Sequence, residues 1–225
     1  MARRDHAERI RHASLYLILE VAAAHAVEPA LEGGVDVVQI RDKHAPDGEL
    51  VAAGHELGDL CRRHGALFVV NDRPDLALEC GADGVHVGQD DESVDAVRAL
   101  AGDRLFVGVS THSPAQVAAA EESDADYFAV GPVHATPTKP GRPAVGLELV
   151  RHAAEHARKP WFAIGGIDAG NAAAVVAAGA RRLAVVRAIR DADDPRAAAR
   201  ELRAIASGAT GATGAAAAAR GGVRG

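Results

Sequence analysis

Short runs rich in Val, Ile, Leu and Phe alternate with Ala-rich amphipathic stretches along most of the chain. The runs at 15–19, 35–40, 67–70, 84–87, 105–109, 127–130, 161–164 and 183–186 predict strands. Stretches such as "GELVAAGHELGDLCRRHG" and "SPAQVAAAEESDAD" carry the spacing of helices that cover them. A connector recurs ahead of the strands, as "EGGVDVV", "CGADGVHV", "ESDADYFAV" and "AGARRLAVV". Each closes a helix on Gly or a small polar residue and opens a strand, as βα units do when they restart. Nearly continuous apolar strands belong to a parallel sheet covered on both faces. About eight such units in roughly 200 residues predict a single (β/α)8 TIM barrel of the α/β class. An open doubly wound sheet is the alternative, weakened because no GxGxxG follows the first strand.

The predicted organisation is an N-terminal extension at 1–13, a barrel domain at 14–207 and a tail at 208–225. The tail, "GATGATGAAAAARGGVRG", holds too little large apolar surface to offset its ordering entropy and reads as disordered. With 225 residues, 48% of them hydrophobic, the chain can fill one sizeable core. Its formal net charge of −6 argues against a nucleic-acid surface while leaving room for local basic pockets. Cys61 and Cys80 form neither a CxxC pair nor a metal-ligand spacing and read as buried thiols in a reducing compartment. The apolar run at 15–19 is too short for a signal sequence, and no stretch approaches the ~18 apolar residues of a membrane span. A cytoplasmic protein with no membrane partner is expected.

In a parallel barrel, functional groups gather after the strands. Gln39, Ile40, Arg41, Asp42 and Lys43 follow Val38; Asn71 and Asp72 follow Val70; Gly88, Gln89, Asp90 and Asp91 follow Val87. Ser110, Thr111 and His112 follow Val109, "GPVHATPTKPG" follows Val130, Gly165 and Gly166 follow Ile164, and Arg187 follows Val186. Asp72 and Asp91 end neighbouring strands and lack a local cation that answers both. They suit a magnesium site completed by substrate phosphates and water, or they cap the helices that follow. Asp75 and Asp90 read as caps or surface acids. Arg41 and Lys43, two apart on one strand end, suit a diphosphate; the alternative is a solvated end paired with Asp42. The loop "HATPTKPGRP" offers Thr136, Thr138 and Lys139 to an anion in a segment stiffened by prolines, Pro137 among them. Gly165 and Gly166 and the Val186–Arg187 end lie where barrels hold phosphate with backbone N–H groups. "HAAEH" at 152–156 matches a zinc-peptidase spacing but falls on an Ala-rich outer helix, and His112 near Ser110 has no acid to complete a triad.

Taken in order, "QIRDK", "VNDRPDLAL", "GADGVHVGQDD", "VGVSTHSPAQ", "DYFAVGPVHATPTK" and "AIGGI" resemble thiamine phosphate synthase, from about Tyr16 to about Arg200. The resemblance implies a (β/α)8 barrel and a transferase reaction. It joins 4-amino-5-hydroxymethyl-2-methylpyrimidine diphosphate to a thiazole phosphate, or its carboxylated form, giving thiamine phosphate and diphosphate. It also implies Mg2+ held by Asp72 and Asp91, against the capping reading. Arg41, Lys43, Asn71 and Lys139 are then assigned to the pyrimidine diphosphate, with Gln39 against the same substrate and Ser110 near the reacting centre. Thr136 and Thr138, with Gly166 and the Val186–Arg187 backbone, are assigned to the thiazole phosphate, and Ile40, Asp42 and Pro137 fall within the same binding blocks. Ala135 stands where many members have Pro, Pro137 sits between the two threonines, and Arg187 stands where many members have Ser. The related thiazole tautomerase shares the fold but needs no diphosphate–magnesium site, and a non-catalytic thiamine-phosphate sensor needs no leaving-group chemistry. Small-molecule substrates are the partners implied, with a homo-oligomer left open.

Overall fold

The structure is a computed structural model that describes residues 2–136 and 143–208. Eight parallel strands close into a barrel in chain order: β1 Leu15–Leu19, β2 Val37–Ile40, β3 Leu67–Asn71, β4 Gly84–Val87, β5 Phe106–Thr111, β6 Tyr127–Val130, β7 Trp161–Ile164 and β8 Leu183–Val185. Four of these have the bounds expected from the apolar runs. β2 starts at Val37 rather than at 35, and the other three differ for local reasons. β3 gains Asn71, which pairs in register with His86. β5 gains Ser110 and Thr111, which pair with Ala129 and Val130. β8 stops at Val185 because Val186 (φ −116°, ψ −88°) opens a short helix at Arg187.

Each strand leads to an outer helix: α2 Val27–Glu32, α3 Asp47–His64, α4 Pro74–Glu79, α5 Val94–Ala101, α6 Pro114–Glu122, α7 Gly146–His156, α8 Ala172–Ala177, and after β8 the short α9 Arg187–Arg190 and then α10 Pro195–Ala206. Alternation along the strands separates two cores. Leu15, Leu17 and Leu19 pack outward against the helices, with Cys61 and Cys80 as free buried thiols in the same layer. Tyr16, Ile18, Val37, Leu67, Phe106, Tyr127 and Phe162 fill the interior. The Tyr127 ring lies where a side chain at 108 would stand, so Gly108 makes room for it.

The segment ahead of β1 is a helix, α1 Ala2–His12, whose Ile10 is fully buried in the interior core. It closes the amino-end face of the barrel. Three of the four connectors carry an Asp that sits on that face and ties its strand start to the preceding strand. Asp36 Oδ2 accepts from the N–H groups of Ser14 (2.8 Å) and Leu15 (3.0 Å). Asp83 Oδ2 accepts from Phe68 N–H, and Asp126 Oδ2 from Val107 N–H, both at 2.8 Å. Basic side chains answer all three: Arg203 for Asp36 at 2.7 Å, the His6 imidazole for Asp83 at 3.2 Å, and Arg98 and Arg3 for Asp126 at 2.5 and 2.9 Å.

Candidate active site

Two cavities meet at the carboxyl-end face. The larger, about 380 Å³, descends into the barrel past Gln39, Ser110, Tyr16 and Tyr127 and reaches the glycine turn after β7. The smaller, about 220 Å³, is polar and holds Lys43, Asp72 and Asp91. Arg41, Asn71, Ser110 and His112 line both, so they stand at the junction.

The two aspartates come together. Asp72 has φ +62°, the one non-glycine residue in the left-handed region among the described residues. That conformation is sparsely populated and is held here by the tertiary frame. Its N–H donates to the His86 carbonyl at 2.8 Å, carrying the β3–β4 ladder one residue past the strand. The carboxylates of Asp72 and Asp91 are within hydrogen-bonding range. Burial first, and then contact with the Asp91 carboxylate, raises the Asp72 carboxyl above its ordinary value; Lys43, with Nζ 3.4 Å from Oδ2, pulls the other way. Asp91 Oδ2 also accepts from Gly88 N–H at 2.9 Å, and a side chain at 88 would collide with that carboxylate.

Neither acid caps a helix. The residue preceding α4 is Arg73, and it makes no side-chain cap. The α5 cap is Ser93, whose hydroxyl accepts from Ala96 N–H at 3.2 Å. Arg73 is bound instead by Asp47 and Asp75 at 2.7 to 2.9 Å, so it does not answer the aspartate beside it. Among the described residues no group of three or more His, Cys, Asp or Glu is placed to hold a metal. Two abutting carboxylates, the Asp72 carboxyl raised in proton affinity, fit a hard divalent ion whose remaining ligands are phosphate oxygens and water.

The other expected residues fall into three groups. Gln39, Arg41, Asn71, Ser110, Thr136, Gly166, Val186 and Arg187 line the larger cavity. Gly165 and Gly166 have φ of 104° and 65°; side chains there would meet Pro132 and the His134–Ala135 backbone, so glycine permits the turn. Ile40 and Asp42 are not brought in by their side chains. Ile40 is buried in the outer core. Asp42 accepts from the N–H groups of Val21, His44 and Ala45 at 3.0 to 3.2 Å, bonds that hold the loop and keep its carboxyl below the usual range. Pro137, Thr138 and Lys139 lie outside the described residues. His152 and His156 stack at 4.3 Å on α7, and neither lines either cavity.

Several lining residues take no role from the sequence, although His86, Gln89, His112 and Tyr127 fall inside the blocks that carry the resemblance. Tyr16, His86 and Tyr127 sit inside apolar strands, where their inward phase of alternation does not say what they bond. His112 Nδ1 donates to the Gly131 carbonyl at 2.5 Å. Gln89 Nε2 donates to the Ser110 carbonyl at 2.7 Å, which fixes the strand end carrying that serine.

A closed (β/α)8 barrel with paired acids and two cations at its mouth, opening on a cavity that ends at a glycine turn, defines an enzyme of phosphorylated small molecules. The family model described as thiamine monophosphate synthase matches residues 15–189. A thiamine-phosphate synthase of Mycolicibacterium smegmatis is 52% identical over 215 residues, covering 89% of this chain and 95% of that protein. One of Gloeobacter violaceus is 54% identical over 189 residues, covering 83% of this chain; the match spans only 55% of that longer protein. The solved thiamine phosphate pyrophosphorylase of Pyrococcus furiosus superposes with a TM-score of 0.81 at 36% identity, covering 88% of this chain and 98% of that one. The chain belongs to the thiamine-phosphate synthase family, and thiamine-phosphate synthase activity, a transferase reaction of thiamine biosynthesis, goes with that membership. No helix among the described residues is long and apolar enough to cross a membrane.

Proposed function

We propose that this chain joins 4-amino-5-hydroxymethyl-2-methylpyrimidine diphosphate to a thiazole phosphate at the junction of the two cavities, with the diphosphate in the polar one and the rings in the apolar one. One observation carries the assignment. Asp72 and Asp91 abut beside Lys43, and that polar pocket shares Arg41, Asn71 and Ser110 with a cavity large enough for two heterocycles.

Loss of diphosphate leaves a pyrimidine-methyl cation stabilised by the ring amino group, and the thiazole nitrogen then attacks the methylene carbon. No side-chain nucleophile is required. Arg41 suits two diphosphate oxygens at once, while Lys43 supplies a compact charge. Lys139, outside the described residues, is assigned to the same diphosphate on the resemblance alone. Asp72 and Asp91 are the residues that would hold magnesium, which when bound offsets charge gathering on the leaving diphosphate. Gln39 and Asn71 orient the pyrimidine. The turn at Gly166, Thr136 and the Val186–Arg187 backbone hold the phosphate of the thiazole, with Thr138 and Pro137 assigned beside them on the resemblance alone. The buried floor excludes water from a cation that water would otherwise capture. Fixing two substrates in line supplies much of the remaining rate.

The test mixes both substrates with Mg2+ and follows diphosphate release together with coupled product. Equimolar appearance of the two supports the reading. Diphosphate released without coupled product makes the chain a hydrolase instead. Arg41→Ala should weaken binding of the pyrimidine diphosphate far more than that of the thiazole phosphate; equal weakening would contradict the division of the two cavities.

A further inference from the structure

A buried chain of hydrogen bonds links two site residues through the barrel interior. Gln39 Nε2 donates to Tyr16 OH at 2.7 Å. The Tyr16 and Tyr127 hydroxyls are 3.0 Å apart. Tyr127 OH is 3.0 Å from His86 Nδ1, and His86 Nε2 is 3.0 Å from Ser110 Oγ. The five residues come from β2, β1, β6, β4 and β5, and none is more than 7% exposed.

The direction of this chain follows from counting protons. Burial pushes both phenols well above their ordinary values, so each keeps its single proton. Tyr16 already accepts from the Gln39 amide, and a buried hydroxyl proton left unpaired is costly. Its proton therefore goes to the Tyr127 oxygen. The Tyr127 proton then has His86 Nδ1 as its acceptor. A neutral imidazole carries one N–H, which must sit on Nε2 and donate to Ser110 Oγ. An imidazolium would donate from both nitrogens and strand the Tyr127 proton. Because Ser110 Oγ accepts from the histidine, its own proton remains to be donated where the two cavities meet.

We propose that Tyr16, Tyr127 and His86 are positioning residues that carry the orientation of the Gln39 amide across the barrel. They hold His86 as the Nε2–H tautomer and fix the Ser110 hydroxyl as a donor to an oxygen of the departing diphosphate. The last step rests on the function proposed above; the tautomer does not. Reversing the first bond should reverse every later one. A carboxylate at position 39 can only accept, so Tyr16 would donate to it, Tyr127 to Tyr16 and His86 Nδ1–H to Tyr127, leaving Ser110 to donate to His86 Nε2.

The test is 15N NMR of the full chain labelled at histidine, recorded without substrates, with the His86 signals assigned by their loss in His86→Gln. The wild type should show His86 as Nε2–H, and Gln39→Glu should convert it to Nδ1–H. His86 found as Nδ1–H in the wild type, or left unchanged by Gln39→Glu, overturns the relay. In kinetics, Tyr127→Phe should lower kcat about tenfold, as expected for one lost charge-assisted hydrogen bond, with KM for the thiazole phosphate unchanged. Tyr16→Phe serves as the second variant should Tyr127→Phe fail to fold. A folded variant with wild-type kcat, or one whose KM rises for both substrates with kcat intact, overturns the positioning role. An Nε2–H tautomer in a protein that couples no substrates would leave the relay standing and sink the functional reading.

Discussion

The two faces of the barrel use the same residue for opposite ends. On the amino-end face Asp36, Asp83 and Asp126 each tie a strand start to its neighbour, and each meets a basic side chain, an arginine for Asp36 and Asp126 and the His6 imidazole for Asp83. On the carboxyl-end face Asp72 and Asp91 meet each other, with one Lys 3.4 Å away. The first set is satisfied by the protein itself. The second leaves negative charge concentrated against negative charge, an arrangement that persists only where the fold imposes it or an outside cation relieves it. The difference teaches that a buried-edge aspartate is read from its partners rather than from its place beside a strand.

The sharpest way to break the comparison is to neutralise one acid on each face. Asp72→Asn or Asp91→Asn should lower turnover by about 100-fold or more, in line with loss of a preorganised electrostatic group. Circular dichroism should show the fold intact, and steady-state rates across a Mg2+ titration check the loss. Near-normal rates in either variant would remove these acids from the chemistry. Asp126→Ala should do the reverse. It strips the acceptor from Val107 N–H and leaves Arg98 and Arg3 without their buried partner. Breaking such a group costs about 3–5 kcal/mol, which chemical denaturation would register, while kcat per folded molecule should hold.

The connectors show how far the sequence reaches. Their Gly or small polar residue marks where a helix ends and a strand opens, and the apolar runs that follow give four of the eight strand bounds outright and the others to within two residues, because a parallel strand buried on both faces leaves little freedom of composition. The mouth was legible for the same reason: polar residues ending apolar runs are conspicuous. Asp72 and Asp91 were nonetheless ambiguous between caps and ligands, since sequence cannot show that Ser93 takes the α5 cap or that Asp72 adopts φ +62°. The interior relay was not legible. Tyr16, His86 and Tyr127 sit at inward phases of separate strands, and only barrel closure brings five strands' side chains into one chain of bonds. The burial of α1 was equally hidden, since a single Ile10 anchors an otherwise charged stretch.

A smaller effect sharpens the contrast through pH. The Asp72 carboxyl is held above its ordinary value in the fold, by burial first and by Asp91 second. The native state therefore binds that proton more tightly than the unfolded chain does. Its stabilising share is complete below the unfolded carboxyl's ordinary value and is lost as pH rises through the raised one. At neutral pH the ionised pair should thus weaken the fold, so Asp72→Asn should raise Tm by about 1–3 °C there, part of the gain being offset by the lost Lys43 contact. Scanning calorimetry should find the gain shrinking toward the ordinary carboxylate range. A gain that grows on acidification would reverse the sign and deny the strain between the two acids.

The smallest effect is expected one residue away. Arg73 follows Asp72 in sequence and stands at the same rim, yet its guanidinium is committed to Asp47 and Asp75. Those pairs are exposed, and exposed pairs contribute little to stability. Arg73→Ala should therefore leave turnover within about twofold and Tm nearly unmoved, measured beside Lys43→Ala, whose Nζ does reach Asp72. A loss in Arg73→Ala as large as in Lys43→Ala would mean that the rim works as one charge field. In that case the boundary between the acids paired to basic side chains and the two abutting acids would have to be redrawn to place Asp47 and Asp75 inside the site.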